Sequence, residues 1–240
     1  MALSTASRVE RPILLLAGAA AGLGASIANR FAHERDVVGM ARSDRAAAAI
    51  AESVREGGGS YTHVVCDVAA ADEVATALTP YLDRIDVVVH NVNALRIGAF
   101  SETSPGDFEQ VWRATCLSAF VVAQMVLPHM VARQRGTIIV SGATAGIRGA
   151  ANFAAFASAK FALRGLTQSL AREYGPRGIH LAYVVLDGLI DSAQTEKRFG
   201  PATSTRMDPD AIAEAYFNLA AQPRSAWTQA LDLRPFSERF

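Results

Sequence analysis

The sequence predicts an α/β fold: one parallel β-sheet of about seven strands, doubly wound, with helices on both faces. Three observations carry this. Short, wholly apolar runs recur along the chain without internal polar alternation. Stretches of helical length and pattern separate them, and a glycine-punctuated turn joins the first run to the first helix. Strands that are apolar throughout need cover on both faces, and parallel strands need helical crossovers.

The elements follow in order. "PILLLAG" (12–18) reads as a buried strand ending in glycine, and "GASIANRFAHE" (24–34) as the helix after it. "VVGMAR" (37–42) is the second strand, and "RAAAAIAESVREGG" (45–58) a helix stopped by glycines. "THVVCDV" (62–68), "DEVATALTPYLDR" (72–84) and "IDVVVHN" (85–91) give strand, helix and strand. One long helix is expected over 105–133, then the strand "GTIIVSG" (136–142) and a helix over 153–175. "IHLAYVVLDG" (179–188) is a sixth strand, followed by a helix near 209–221 and a last strand within 226–233. No repeat, low-complexity linker or charge block divides the pattern, so residues 1–240 read as a single domain.

Composition excludes several classes. Half of the 240 residues are hydrophobic, which argues against disorder. Lys plus Arg and Asp plus Glu number 23 each, with no basic stripe for nucleic acid or an anionic membrane. Cys66 and Cys116 lack CxxC spacing, so neither a disulfide framework nor a thiolate metal site is expected. The opening "MALSTASRVERP" lacks an apolar signal-peptide core, and "ILLLAGAAAGLGA" is too short to span a bilayer. The chain reads as a cytoplasmic protein without membrane partners.

Chemistry first appears at "AGAAAGLG" (17–24), where Gly18, Gly22, Leu23 and Gly24 open the first helix. Glycines there let the backbone turn tightly and approach a pyrophosphate, whose charge sits on the helix N-terminus. In this α/β context the turn points to a Rossmann-like dinucleotide site. The second strand ends "MARS": Ala41 stands where a carboxylate would bind ribose hydroxyls, and Arg42 and Ser43 follow. An arginine at that point pairs with a 2′-phosphate, which favours NADP(H). Asp67 is placed either to accept from the adenine amino group or to cap the following helix.

These residues together resemble the short-chain dehydrogenase/reductase family over nearly the whole chain. The glycine motif matches at 18–24, the adenine motif at "CDV" (66–68), and "HNVN" (90–93) keeps Asn91 of a third motif. In that family a tyrosine moves the proton, and a lysine lowers its pKa and binds the nicotinamide ribose. A serine holds the substrate carbonyl, and an asparagine holds a relay water. The resemblance puts Phe156 at the tyrosine, Lys160 at the lysine, Ala143 at the serine and Thr115 at the asparagine. A related enoyl-reductase branch has its tyrosine seven residues before the lysine, where this chain has Phe153. Phe156 and Lys160 are i and i+4 on one helix face, so the ring still lines the site but donates no proton.

Ser141, Thr144 and Asp187 are candidates for the missing polar chemistry, at the ends of the fifth and sixth strands. His90 reads as a buried, hydrogen-bonded histidine. Phe153, Phe156 and Ala143 imply an apolar pocket for a small hydrophobic substrate. The leading expectation is an atypical NADP(H)-dependent oxidoreductase acting on an iminium ion or activated C=C bond. A non-redox enzyme on the same scaffold (cyclase, lyase or isomerase) and a nucleotide-binding pseudoenzyme stay open beside it. The polar segment 189–208 reads as a flexible substrate loop, in which the resemblance gives Ser192 a cofactor contact. Pairing through helices 105–133 and 153–175 into a homodimer or homotetramer is also implied by the resemblance.

Overall fold

The structure, a computed structural model, describes residues 11–201 and 205–237. The opening residues 1–10 and part of the expected loop, 202–204, lie outside the described residues. Seven parallel strands form one sheet: β1 (Ile13–Ala17), β2 (Asp36–Ala41), β3 (Ser60–Val65), β4 (Ile85–His90), β5 (Gly136–Ser141), β6 (Ile179–Leu186) and β7 (Ala230–Leu233). Their order is β3-β2-β1-β4-β5-β6-β7. This is the doubly wound arrangement that the apolar runs predict.

Burial follows position in the sheet. β1, β4, β5 and β6 are buried at every residue, whereas the edge strands β3 and β7 are mostly half-buried or exposed. Helices α1 (Leu23–Ala32), α2 (Ala47–Glu56) and α8 (Pro209–Ala220) cover one face, with Ile27, Phe31, Ile50 and Tyr216 packed on Leu14, Leu16 and Ile139. Helices α3 (Ala71–Leu78), α5 (Ser118–Ala132) and α6 (Ala154–Tyr174) cover the other, with Val74, Val122 and Leu163 on Leu15, Val88 and Ile138. Period-two alternation along β1 sends its side chains to both cores.

Two expectations change. The single helix over 105–133 is two helices, α4 (Pro105–Trp112) and α5, joined by a π-helical turn at Arg113–Leu117. α4 starts on a capping box in which Ser104 and Asp107 satisfy each other's backbone amides. The span Pro105–Ala132 is apolar enough for a membrane helix by length and composition, but over half of its most apolar window is buried inside this fold. The segment 189–208 is not a plain loop. It holds α7 (Ala193–Phe199), with Ser192 as N-cap accepting from the Thr195 amide. A parallel bridge between Ile190 and Met207 fastens the ends of the excursion.

Candidate active site

The strand order reverses between β1 and β4, so the connections leaving these neighbours diverge and open a crevice at their carboxyl ends. Gly18 and Asn91 meet at this point. Gly18 has φ +92°, and a Cβ there would lie 2.7 Å from the Asn91 carbonyl oxygen. The amides of Gly18 and Ala19 both bond the Met40 carbonyl, and the Asn91 amide bonds that of Ala17. Gly22, at φ +79°, begins α1 without a capping side chain, which leaves first-turn amides for an anion. Ser192 stands over this turn, its Cβ 3.1 Å from where a Gly22 side chain would start. Leu23 is buried beneath, and Gly24 packs on the Gly18 carbonyl. A backbone this close and this bare fits a dinucleotide pyrophosphate.

Arg42 follows β2, exposed, and makes no hydrogen bond or ion pair among the described residues. Ser43 beside it accepts a hydrogen bond at its carbonyl from His63 Nε2 at 3.1 Å. Asp67 does not cap α3, whose N-cap is Ala70. Its carboxylate turns back to the Ala69 amide at 3.0 Å, forming an Asx-turn, and stays exposed.

A crevice of about 510 Å³ opens above β4, β5 and β6. Phe153, Phe156, Ala143 and Leu95 give it an apolar wall, and Leu189 and Phe199 line it from the α7 segment. Its polar side groups include Asn91, Asn93, Thr144, Arg148 and Asp187. Asp187 is 6% exposed. Its Oδ1 accepts from the Thr144 hydroxyl at 2.5 Å, and its Oδ2 lies 3.7 Å from the Arg234 guanidinium. The Asp187 amide bonds the Leu233 carbonyl at 2.8 Å, which fixes the residue against β7.

Two candidate residues sit elsewhere than expected. Thr115 is fully buried inside the π-turn, where its hydroxyl accepts from the Ala94 amide at 3.4 Å, and it does not line the crevice. Lys160 is 1% exposed and donates from Nζ to the Ser141 carbonyl at 2.8 Å. The Phe156 ring, on α6 one turn before Lys160, stands 5.7 Å from that nitrogen and lines the crevice. Burial pushes the Lys160 ammonium down to about 7. Ser141 turns its hydroxyl to the other face, 2.8 Å from that of Tyr216 on α8.

His90 is the buried, bonded histidine that the sequence predicts. The Ser118 hydroxyl donates to the Ala114 carbonyl at 2.7 Å, so it accepts from His90 Nε2–H at 2.8 Å. Burial first, then the charge of Lys160, holds the ring down to about 3. Arg234, Tyr216 and His63 escaped sequence reasoning, because each comes from a distant element without a local motif. Asn93 had a signal, its place in "HNVN".

The sequence pattern of the short chain dehydrogenase family matches residues 12–201. The 3-oxoacyl-(acyl-carrier-protein) reductase of Escherichia coli (strain K12) is 29% identical over 187 residues, covering 78% of this chain and 76% of its own. A short-chain dehydrogenase from Rhodopseudomonas palustris is 34% identical, with a TM-score of 0.81 over 93% of this chain and 98% of its own. A metagenomic short-chain oxidoreductase crystallised with NADP shares the fold at a TM-score of 0.82 and 24% identity, over 97% of this chain and 100% of its own. With its glycine turn at the sheet's switch point and its crevice above β4 to β6, this chain belongs to the short chain dehydrogenase family of oxidoreductases.

Proposed function

We propose that the chain is an NADP(H)-dependent reductase of electron-poor double bonds, with an iminium ion as the preferred acceptor and an activated C=C bond as the second. One observation carries the reading: phenyl rings wall the crevice where the family resemblance calls for a hydroxyl acid, while a carboxylate, Asp187, lines the same crevice. A ketone that receives hydride becomes an alkoxide and needs a proton donor and an oxyanion partner, together worth orders of magnitude in rate. Neither Phe156 nor Ala143 supplies one. An iminium ion already carries the positive charge, so hydride addition forms the C–H bond and leaves a neutral amine with no proton to place. An activated C=C bond leaves a carbanion held by its own activating group, which takes its proton from solvent water.

Reduced nicotinamide, when bound, would supply that hydride. The glycine turn would hold its pyrophosphate, and Arg42 would pair with the 2′-phosphate. Phe153 and Phe156 exclude water from the acceptor carbon. Asp187, steadied by Thr144 and Arg234, faces the cation. The ketone reduction named for the Escherichia coli relative is therefore not the reaction expected here.

The test follows nicotinamide absorbance with NADPH and three acceptors: a cyclic imine, a conjugated enone and a simple ketone. Turnover of the imine with little or none of the ketone is expected. Equal turnover of ketone and imine would sink the reading. A second reading, cofactor-free chemistry on this scaffold, is favoured by one feature, the commitment of Lys160 to Ser141. It predicts no binding of NADPH or NADH in a calorimetric titration.

A further inference from the structure

We infer that Tyr61 and His63, on the edge strand β3, are positioning residues that set the preference for a 2′-phosphorylated dinucleotide. This rests on the NADP(H) reading above. Both side chains lie on one face of β3, since residues two apart share a face, and Tyr61 packs there against the core under α1, α2 and α8. The Tyr61 hydroxyl is 2.8 Å from His63 Nδ1, and His63 Nε2 is 3.1 Å from the Ser43 carbonyl oxygen.

The chemistry fixes the direction of this chain. A carbonyl only accepts, so Nε2 carries a proton, and in the neutral imidazole Nδ1 is then a bare lone pair. The Tyr61 hydroxyl therefore donates to Nδ1. Burial pushes the Tyr61 phenol up to about 12, so it remains a donor through the working range.

The loop between β2 and α2 needs this tether. Among the described residues, the His63 contact is the one side-chain hydrogen bond that residues 42–46 receive. α2 has Ala46 at its N-cap, which offers no capping side chain. A loop with so little holding it would sample several backbone states, and ordering Arg42 on a phosphate would then cost conformational entropy. His63 lowers that cost by fixing the adjacent carbonyl.

Gly39 makes room for the arrangement. A Cβ there would lie 2.4 Å from the Tyr61 hydroxyl and 2.8 Å from the Ala19 side chain. The absence of that carbon lets Tyr61 lie across β2, where it meets His63 and, through it, the Ser43 carbonyl.

The experiment is a calorimetric titration of the full chain with NADPH and with NADH, for wild type, Arg42→Ala, His63→Ala, His63→Gln and Tyr61→Phe. Wild type should bind NADPH at least tenfold tighter. His63→Ala should weaken NADPH about three- to tenfold and leave NADH unchanged. His63→Gln, whose amide donates to the Ser43 carbonyl, should restore the ratio. Tyr61→Phe should move the ratio the same way by less, and it keeps the test alive if His63→Ala does not fold. A wild-type preference that survives both His63→Ala and Tyr61→Phe overturns the inference alone, as does equal weakening of both nucleotides. A wild type without preference overturns the NADP(H) reading itself.

Discussion

The ammonium of Lys160 on α6 and the main-chain carbonyl of Ser141 at the end of β5 meet at 2.8 Å, both buried. This bond ties the helix of the crevice wall to the strand beneath it. It also places a cation where water cannot reach, which is why the group's pKa falls to about 7.

That depression makes stability depend on pH in one direction. An unfolded lysine titrates near 10.4, so between that value and about 7 the unfolded chain holds a proton that the folded chain lacks. The stability contribution is fully present above the unfolded value and is lost as pH falls toward 7, at about 1.4 kcal/mol per pH unit. Lys160→Met removes the group from this balance. Urea unfolding of both proteins across pH 7 to 10.5 should show wild type gaining on the variant as pH rises. A constant difference would mean that Lys160 titrates normally.

Gly18→Ala should damage the site and the fold at once. The new Cβ would press on the Asn91 carbonyl at 2.7 Å while holding a left-handed φ. Strain of this kind costs on the order of 1–3 kcal/mol. The expected result is a lower urea midpoint together with loss of dinucleotide affinity. Unchanged affinity would separate the turn from the cofactor.

Much of this was legible in the sequence, for particular physical reasons. A strand buried on both faces must be apolar throughout, so "PILLLAG" and "IDVVVHN" announced β1 and β4 with ends correct to a residue. The glycine turn was legible because its backbone needs dictate residue type. The π-turn at Arg113–Leu117 was not, since one extra residue in a helix leaves the apolar pattern nearly intact. α7 was hidden by its polar composition, although Ser192 is a good N-cap. Side-chain direction was the least legible property. Nothing local told that Lys160 turns to Ser141, or that Arg234 returns from beyond β7 to Asp187.

Asp187→Asn tests the cation reading through the kind of kinetic loss it produces. Hydride addition discharges the iminium ion, so a facing carboxylate holds the ground state at least as strongly as the transition state. The variant should therefore raise KM for a cationic acceptor about tenfold or more and change kcat less. Affinity for NADPH should stay constant, and a neutral enone should lose less than the imine. An equal loss for both acceptors would make Asp187 a fold residue that holds Thr144 and Arg234 in place.

Phe156→Tyr asks whether ordinary carbonyl chemistry can be restored. The ring lines the crevice, and a para hydroxyl would extend from it on the helix face it shares with Lys160. A positioned general acid is worth about 10²–10⁴ in rate, but only when its pKa suits the task. On the family resemblance Lys160 is the group that would lower it, but it is held by Ser141, and Ala143, at the resemblance's serine position, has no hydroxyl. The single variant should therefore gain little on a ketone. The pair Phe156→Tyr and Ala143→Ser adds the oxyanion donor, worth about 10²–10³ alone, and should raise ketone turnover at least tenfold above either single change. Ketone and imine rates measured side by side decide it. A large gain from Phe156→Tyr alone would show that the missing hydroxyl was the sole barrier, and that Lys160 can leave Ser141 to assist it.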